Sequence, residues 1–192
     1  MNAALIKLPK HLQARIQSEL KPGEAVVWAD QPRPGKYMRQ GFLLWLFFIP
    51  WTAFALFWMA AAAGFKLPDF SHGQHLFPLF GIPFVLIGLG GLSSPYWLRR
   101  KAANIVYIIT DQRAFALEGL RSYTARTYYP DQLRSITRKE HPDGSGDLVL
   151  ETARYKDSDG DARKRENGFF AIAQVRRVEQ LLEQLAAVQK IG

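Results

Sequence analysis

Two long stretches of this chain carry no Asp, Glu, Lys or Arg: residues 40–65 and residues 70–98. The first holds GFLLWLFFIPWTAFALFWMAAAAGF, Gly41 to Phe65. About 25 residues rising ~1.5 Å each span roughly 37 Å, enough to cross a ~30 Å hydrocarbon core with some tilt. A buried helix of a soluble protein would be shorter or show a polar stripe, and this one shows none. The second stretch, Leu76 to Leu98, repeats the signal, and KLPDFSHGQH joins the two with Lys66 and Asp69 nearly cancelling. A two-helix transmembrane hairpin over residues 41–98 is therefore expected. Pro50, Pro78 and Pro83 fall within the spans and predict bends, because proline removes a helical hydrogen bond.

Flanking charge sets the orientation. Lys36 and Arg39 precede the first span, and Arg99, Arg100 and Lys101 follow the second. Positive flanks stay inside, which places both termini in the cytoplasm and the link on the outer side of the membrane. Tyr96 and Trp97 stand where interfacial anchors belong, and Arg99, Arg100 and Lys101 are candidates for contact with lipid headgroups. Among the small residues of the spans, which include Gly88 and Gly91, Ala60/Gly64 and Gly90/Ser94 have the small-xxx-small spacing of close packing, within the hairpin or against a neighbouring chain. His72 and His75, three apart, would share a helical face, but no third metal ligand is near them in sequence. With no charge inside either span, an ion channel or proton-coupled transporter lacks its usual pathway.

The chain has no cysteine, which removes disulfides, thiolate metal sites and cysteine nucleophiles. Its formal charge of +8 fits the basic flanks of a membrane protein, and no RNA- or DNA-binding motif accompanies it. The first forty residues include Lys7, Lys10, Arg15, Glu19, Lys21 and Glu24 without an apolar core, so no cleaved signal peptide is expected. Leu8, Leu12, Ile16 and Leu20 recur every four residues and predict a short amphipathic helix, which either lies on anionic lipid or packs on the C-terminal domain.

Beyond Lys101 the pattern turns to strands. NIVYIIT (Asn104–Thr110) is β-branched and almost continuous, as in a strand covered on both faces, and AFALEGL follows after a DQR turn. Further strands are predicted at SYTARTYY, LRSITRKE, DLVLETARY and ENGFFAI, with turns at HPDGSGD and KDSDGDARKREN. AQVRRVEQLLEQLAAVQ (Ala173–Gln189) closes as an amphipathic helix whose apolar face is Val175, Val178, Leu181, Leu182 and Leu185.

NIVYIITDQRAFAL after a hydrophobic hairpin, together with the lead-in LKPGEAVVWADQPRP, resembles bacterial pleckstrin-homology-like membrane proteins. The resemblance runs from Leu20 to the end of the chain and implies a mostly β, barrel-like or bent-sheet domain capped by a C-terminal helix. It carries no catalytic residues. The implied division is a cytoplasmic segment 1–40, a hairpin 41–98 and a domain 99–192.

Three groupings invite chemistry. His141, Asp143 and Ser145 lie in one tight turn, whereas a triad needs side chains converging from separate segments. DSDGD starts like a calcium loop, but the sixth and twelfth positions from Asp157 hold Ala162 and Gly168 instead of glycine and glutamate. GSG lacks the Lys-Ser/Thr of a phosphate loop. The expectation is a non-enzymatic, cofactor-free scaffold or accessory subunit. It would meet membrane lipids and a membrane protein complex or further copies of itself, with no nucleic acid. A sensor of anionic headgroups is the alternative.

Overall fold

The computed structural model describes residues 5–65, 79–119, 122–133, 135–158 and 160–188. It divides into two compact units, one made of Met1–Tyr37 with Arg100–Gly192, the other of Met38–Arg99. The second unit runs from Met38 to Arg99, against the stretch 41–98 read as the hairpin. The expected separate segment 1–40 does not hold, because its helix and a strand belong to the same unit as the C-terminal half. The domain expected at 99–192 is thus completed by the first 37 residues.

The reason lies in strand pairing. After helix α1 (Lys10–Glu19), strand β1 (Val26–Asp30) pairs antiparallel with β2 (Ile105–Thr110). Strands β3 (Ala114–Glu118) and β4 (Thr124–Tyr128) extend this into a four-stranded sheet in the order β1-β2-β3-β4. NIVYIIT is thus the second strand of its sheet, not the first strand of the domain. The hairpin is inserted between two neighbouring strands.

Every residue of β2 is buried, as its continuous apolar run requires. Val106 and Ile108, opposite Leu117 and Phe115, face a cluster built from Leu8, Leu12 and Ile16 of the N-terminal segment. This settles the amphipathic helix: its apolar stripe covers the outer face of the sheet. Leu12 and Ile16 are fully buried, and each such side chain contributes about 1.5–3 kcal/mol. The alternate residues of β2 point the other way, where Tyr107 stacks on Phe169 at 4.7 Å between ring centres. Trp28 and Tyr128 complete that aromatic cluster at 6.2 and 6.3 Å from Phe169.

Phe169 belongs to a second, three-stranded sheet, β5 (Thr137–Glu140), β6 (Gly146–Lys156) and β7 (Ala162–Ile172) in the order β5-β6-β7. The two sheets pack face to face and are not joined into a closed barrel. Helix α6 (Val175–Val188) buries Val175, Val178, Leu182 and Leu185. Its ion pairs Arg176–Glu140 (2.9 Å) and Glu179–Arg138 fasten it to β5. β7 starts four residues earlier than the apolar ENGFFAI, so most of the predicted polar loop is strand. At its other end Ala171 takes a positive φ of 56°, costing of order 1–3 kcal/mol for a non-glycine residue. That geometry is held on both sides: its N–H donates to Asp147 Oδ1 (2.7 Å) and its carbonyl accepts from the Arg33 N–H (2.9 Å).

One buried ion pair locks β1 to the β2–β3 turn. Gly23, with φ +80°, lets the Lys21–Glu24 turn close, and Glu24 then accepts from Arg113 Nε (2.8 Å) and Arg113 Nη2 (3.1 Å). The Lys21 N–H and the Thr110 hydroxyl also donate to the Glu24 carboxylate, each at 2.8 Å. Arg113 donates further to the Glu19 carbonyl (2.7 Å), which ties in the end of α1, and lies over the Phe115 ring. Beside this pair, Ala25 and Asp111 exchange two bonds: Ala25 N–H to Asp111 Oδ1 (3.0 Å) and Asp111 N–H to the Ala25 carbonyl (3.1 Å). Burial alone would push the Glu24 carboxyl up. Arg113, Lys21 and Thr110 outweigh it and hold that carboxyl below the ordinary carboxylate value.

Breaking one partner of a buried pair strands the other charge, at about 3–5 kcal/mol. Arg113→Ala is therefore expected to lower unfolding stability by that amount, measured by denaturant unfolding of the detergent-solubilised chain. An effect under about 1 kcal/mol would contradict the clasp. Because the Glu24 pKa is lowered on folding, its contribution is complete above the ordinary carboxylate value of ~4.3. It fades as pH falls below that value and through the lowered one. Glu24→Gln should flatten the loss of thermal stability between pH 7 and pH 3. Some slope should remain from Asp143 and Glu166, whose pKa values are lowered chiefly by Ser145 and Lys139, respectively.

Candidate functional site

The residues proposed to meet headgroups lie together on helix α5 (Ser94–Ala102). Pro95 starts that helix, so its missing N–H falls in the first turn, where it costs no helical bond. Arg99, Arg100 and Lys101 are exposed, as are Tyr96 and Trp97, whose rings meet edge to face at 5.4 Å. The helix ends where the Asn104 side-chain amide donates to the Arg100 carbonyl (2.8 Å), and β2 begins one residue later. Ala103 and Asn104 alone lie between the end of α5 and β2. Lys101, Asn104, Glu118, Ser122 and Thr124 line a polar depression of about 230 Å³. Nearby, Arg15 on α1 donates to the Gly119 carbonyl (2.8 Å) and stands over the Tyr123 ring.

Two helices, Phe42–Ala62 and Leu79–Ala102, are long and apolar enough to cross a membrane. The first is α3. The second comprises a short 3-10 turn, α4 (Ile82–Leu92) and α5, with its break at Ser93. Pro83 sits in the first turn of α4 and Pro95 in that of α5, where a missing N–H costs no helical bond; Pro50 lies inside α3, and Pro78 lies outside the described residues. α3 and α4 pack through Gly88 against Thr52, Gly91 against Phe48 and Gly81 against Met59: a Cβ at any of these glycines would collide with its neighbour. Trp51 adds a hydrogen bond from Nε1 to the Phe84 carbonyl (3.1 Å). The small-xxx-small pairs do not make these contacts. A Cβ at Gly90 or Gly64 would meet open space, and Gly64 has a positive φ of 63° just past the end of α3. Ala60 and Ser94 are half-buried. Spacing alone does not say which helical face turns inward. His72 and His75 lie outside the described residues.

The His141 turn is structural. Ser145, fully buried, donates its hydroxyl to Asp143 Oδ1 (2.6 Å), and Asp143 binds Lys36 (2.9 Å) just after β1. The Ser145 hydroxyl and Lys36 together hold the Asp143 carboxyl well below its usual range. Among the described residues the only base bonded to the serine is this carboxylate, a weak one made weaker by the Ser145 hydroxyl and by Lys36, and the serine is buried, so the arrangement is that of a turn closure. At the other turn, Asp157 accepts from the Asp161 N–H (3.0 Å) and from Arg163 Nε (2.8 Å), which makes it a hairpin closure. Among the described residues no three His, Asp or Glu side chains gather as a metal site.

Sequence reasoning did not connect Glu24 with Arg113, although both stand in the stretches that carry the family resemblance. The signal was available: a charged residue beside a turn glycine and another beside a strand end, each otherwise unexplained.

The glycine contacts are tested by size. Gly88→Leu and Gly91→Leu should each lower the thermal stability of the hairpin in detergent by about 1–3 kcal/mol, the usual cost of overpacking. Gly90→Leu should stay within about 0.5 kcal/mol of the parent, and equal effects at all three positions would contradict the packing described. No family model, curated protein or solved structure matches this chain.

Proposed function

We propose that this protein is a membrane-tethered scaffold of the bacterial inner membrane. The apolar hairpin spans the bilayer with its link outside and both termini in the cytoplasm. The sheet unit is a pleckstrin-homology-like module that holds a protein partner or a second copy. The observation that carries this reading is the insertion of the hairpin between adjacent strands of one sheet. Leading into it, only residues 31–37 separate β1 from the apolar unit; on the return, α5 ends two residues before β2 begins. A module attached at both connections stays at the bilayer whatever its ligand does. That suits a permanent scaffold better than a domain recruited by lipid signals. The parts of the module also fit: seven antiparallel strands in two sheets and a C-terminal helix.

The alternative is a headgroup sensor, favoured by the exposed Arg99, Arg100 and Lys101 beside Tyr96 and Trp97. Each cation near an anionic surface contributes on the order of 1 kcal/mol.

Purification in mild detergent followed by native mass measurement tests the scaffold. A homo-oligomer or a co-purifying membrane partner is expected, and a strictly monomeric species without a partner would contradict it. Because the chain has no cysteine, single cysteines report topology cleanly. In intact cells, Ser71→Cys should react with a membrane-impermeant maleimide and Ser158→Cys should not; the reverse would overturn the orientation. The sensor reading predicts that amide exchange across α5 slows in nanodiscs as anionic lipid content rises. Indifference to that content would remove it.

A further inference from the structure

The scaffold reading leaves the partner unspecified, and the far end of the second sheet supplies a surface for it. β5 pairs with β6 only from Gly146 to Val149, whereas β6 and β7 stay paired out to Lys156 and Ala162. From Glu151 to Lys156 and from Ala162 to Asn167 the chain is thus a two-stranded ribbon reaching past its own sheet. Apart from Ala153, Glu166 and Asn167, the residues of this ribbon are exposed. At its base it is braced by Asn167, which accepts from Arg126 (2.6 Å) and donates to Glu151 (3.0 Å). A two-stranded ribbon alone in water is marginally stable. This one bears an added cost, since Arg154 and Lys164 sit directly opposite each other in register.

The outer edge of the ribbon belongs to β7, the last strand of its sheet, and carries Arg163, Lys164 and Arg165 in succession. Arg163 and Arg165 lie on one face and Lys164 on the other, because strand side chains alternate. Arg163 pairs with Asp157 (2.8 Å), and Lys164 shares Glu166 (3.6 Å) with Lys139 (2.5 Å). These exposed pairs are weak and exchange readily for a better partner. Arg154, Lys156 and Arg165 form no ion pair among the described residues.

We propose that the β7 edge from Ala162 to Glu166 docks an extended segment of a partner protein, added as a further strand and carrying consecutive acidic residues. The choice of occupant follows from charge placement. A second copy offering the same edge would set cations against cations, the arrangement by which exposed edges resist self-pairing. A bilayer reaches only one face of a ribbon, yet the cations occupy both, and the tip presents Asp157 and Asp161 to an anionic surface. An added strand, by contrast, sends its alternate side chains to both faces. Three carboxylates in a row would therefore meet Arg163, Lys164 and Arg165 one by one, while main-chain bonds to β7 supply the affinity. An acidic helix would reach only one face.

This deepens the scaffold reading and rests on it for the identity of the ligand as protein. The test uses the full chain in phosphatidylcholine nanodiscs and a fluorescein-labelled peptide with three consecutive glutamates between valines. Saturable binding is expected, weakened at least tenfold by Lys164→Glu with Arg165→Glu, and equally by a proline replacing the central glutamate of the peptide. Amide exchange of residues 162–166 should slow on binding. Absence of binding, or binding unaffected by the double substitution, would overturn the proposal. So would protection of this edge by phosphatidylglycerol vesicles but not by the peptide. A native partner that still co-purifies with the double variant would remove the β7 edge and leave the scaffold standing. Peptide binding by a chain that is monomeric and partner-free in detergent would keep the edge and remove the scaffold.

Discussion

The pairing of Glu24 with Arg113 joins residues 89 positions apart and sits out of water. Two charges in that setting are tolerated only when hydrogen bonds replace the lost water, and several do so here. Glu24 receives Arg113, Thr110 and a backbone N–H; Arg113 also reaches the end of α1 and covers Phe115. Once these are in place, Ala25 and Asp111 align β1 with β2, and α1 is held where Leu12 and Ile16 meet Val106 and Ile108. Helix α1, strand β1 and the buried strand β2 thus meet at one interaction between a PGE turn and a TDQR turn.

That dependence gives the apolar hairpin its mechanical setting. Its chain leaves the module after β1 and returns into β2, so both ends of the hairpin connect to neighbouring strands of one sheet. Within the hairpin the packing is steric: Gly81, Gly88 and Gly91 give α3 and α4 their close approach, and Thr52 satisfies its hydroxyl on the Phe48 carbonyl (2.7 Å). In lipid, where apolar burial offers little drive, such close fits are what holds helices together.

Much of this was legible along the chain, and the failures have a common origin. The charge-free spans, the doubly covered NIVYIIT strand and the apolar face of α6 each follow from periodicity within one segment, and only Leu181 falls short, being half-buried. β1 was missed as part of the domain because VVWAD gains its meaning from a partner some 80 positions later. The outer half of β7 was read as loop because ARKREN has no apolar alternation. It is held as strand by pairing to β6 and by the Asp157 closure. The packing glycines were named together with others, and spacing could not separate Gly88, which is buried, from Gly90, which is not. For the same reason, the proposed headgroup collar on α5 could be located by charge and aromatic content, while the polar depression lined by Lys101, Glu118 and Thr124 needed β3 and β4 to be placed.

The account stands on β1 being an integral strand of the module across the inserted hairpin. Hydrogen exchange of the full chain in nanodiscs measures this directly. The amides of Val26–Asp30 should be protected by nearly the same free energy as those of Ile105–Thr110, and in Arg113→Ala both should lose protection together. If Val26–Asp30 exchanges as fast as an unstructured peptide while Ile105–Thr110 stays protected, the hairpin is not an insertion within one domain and the account fails.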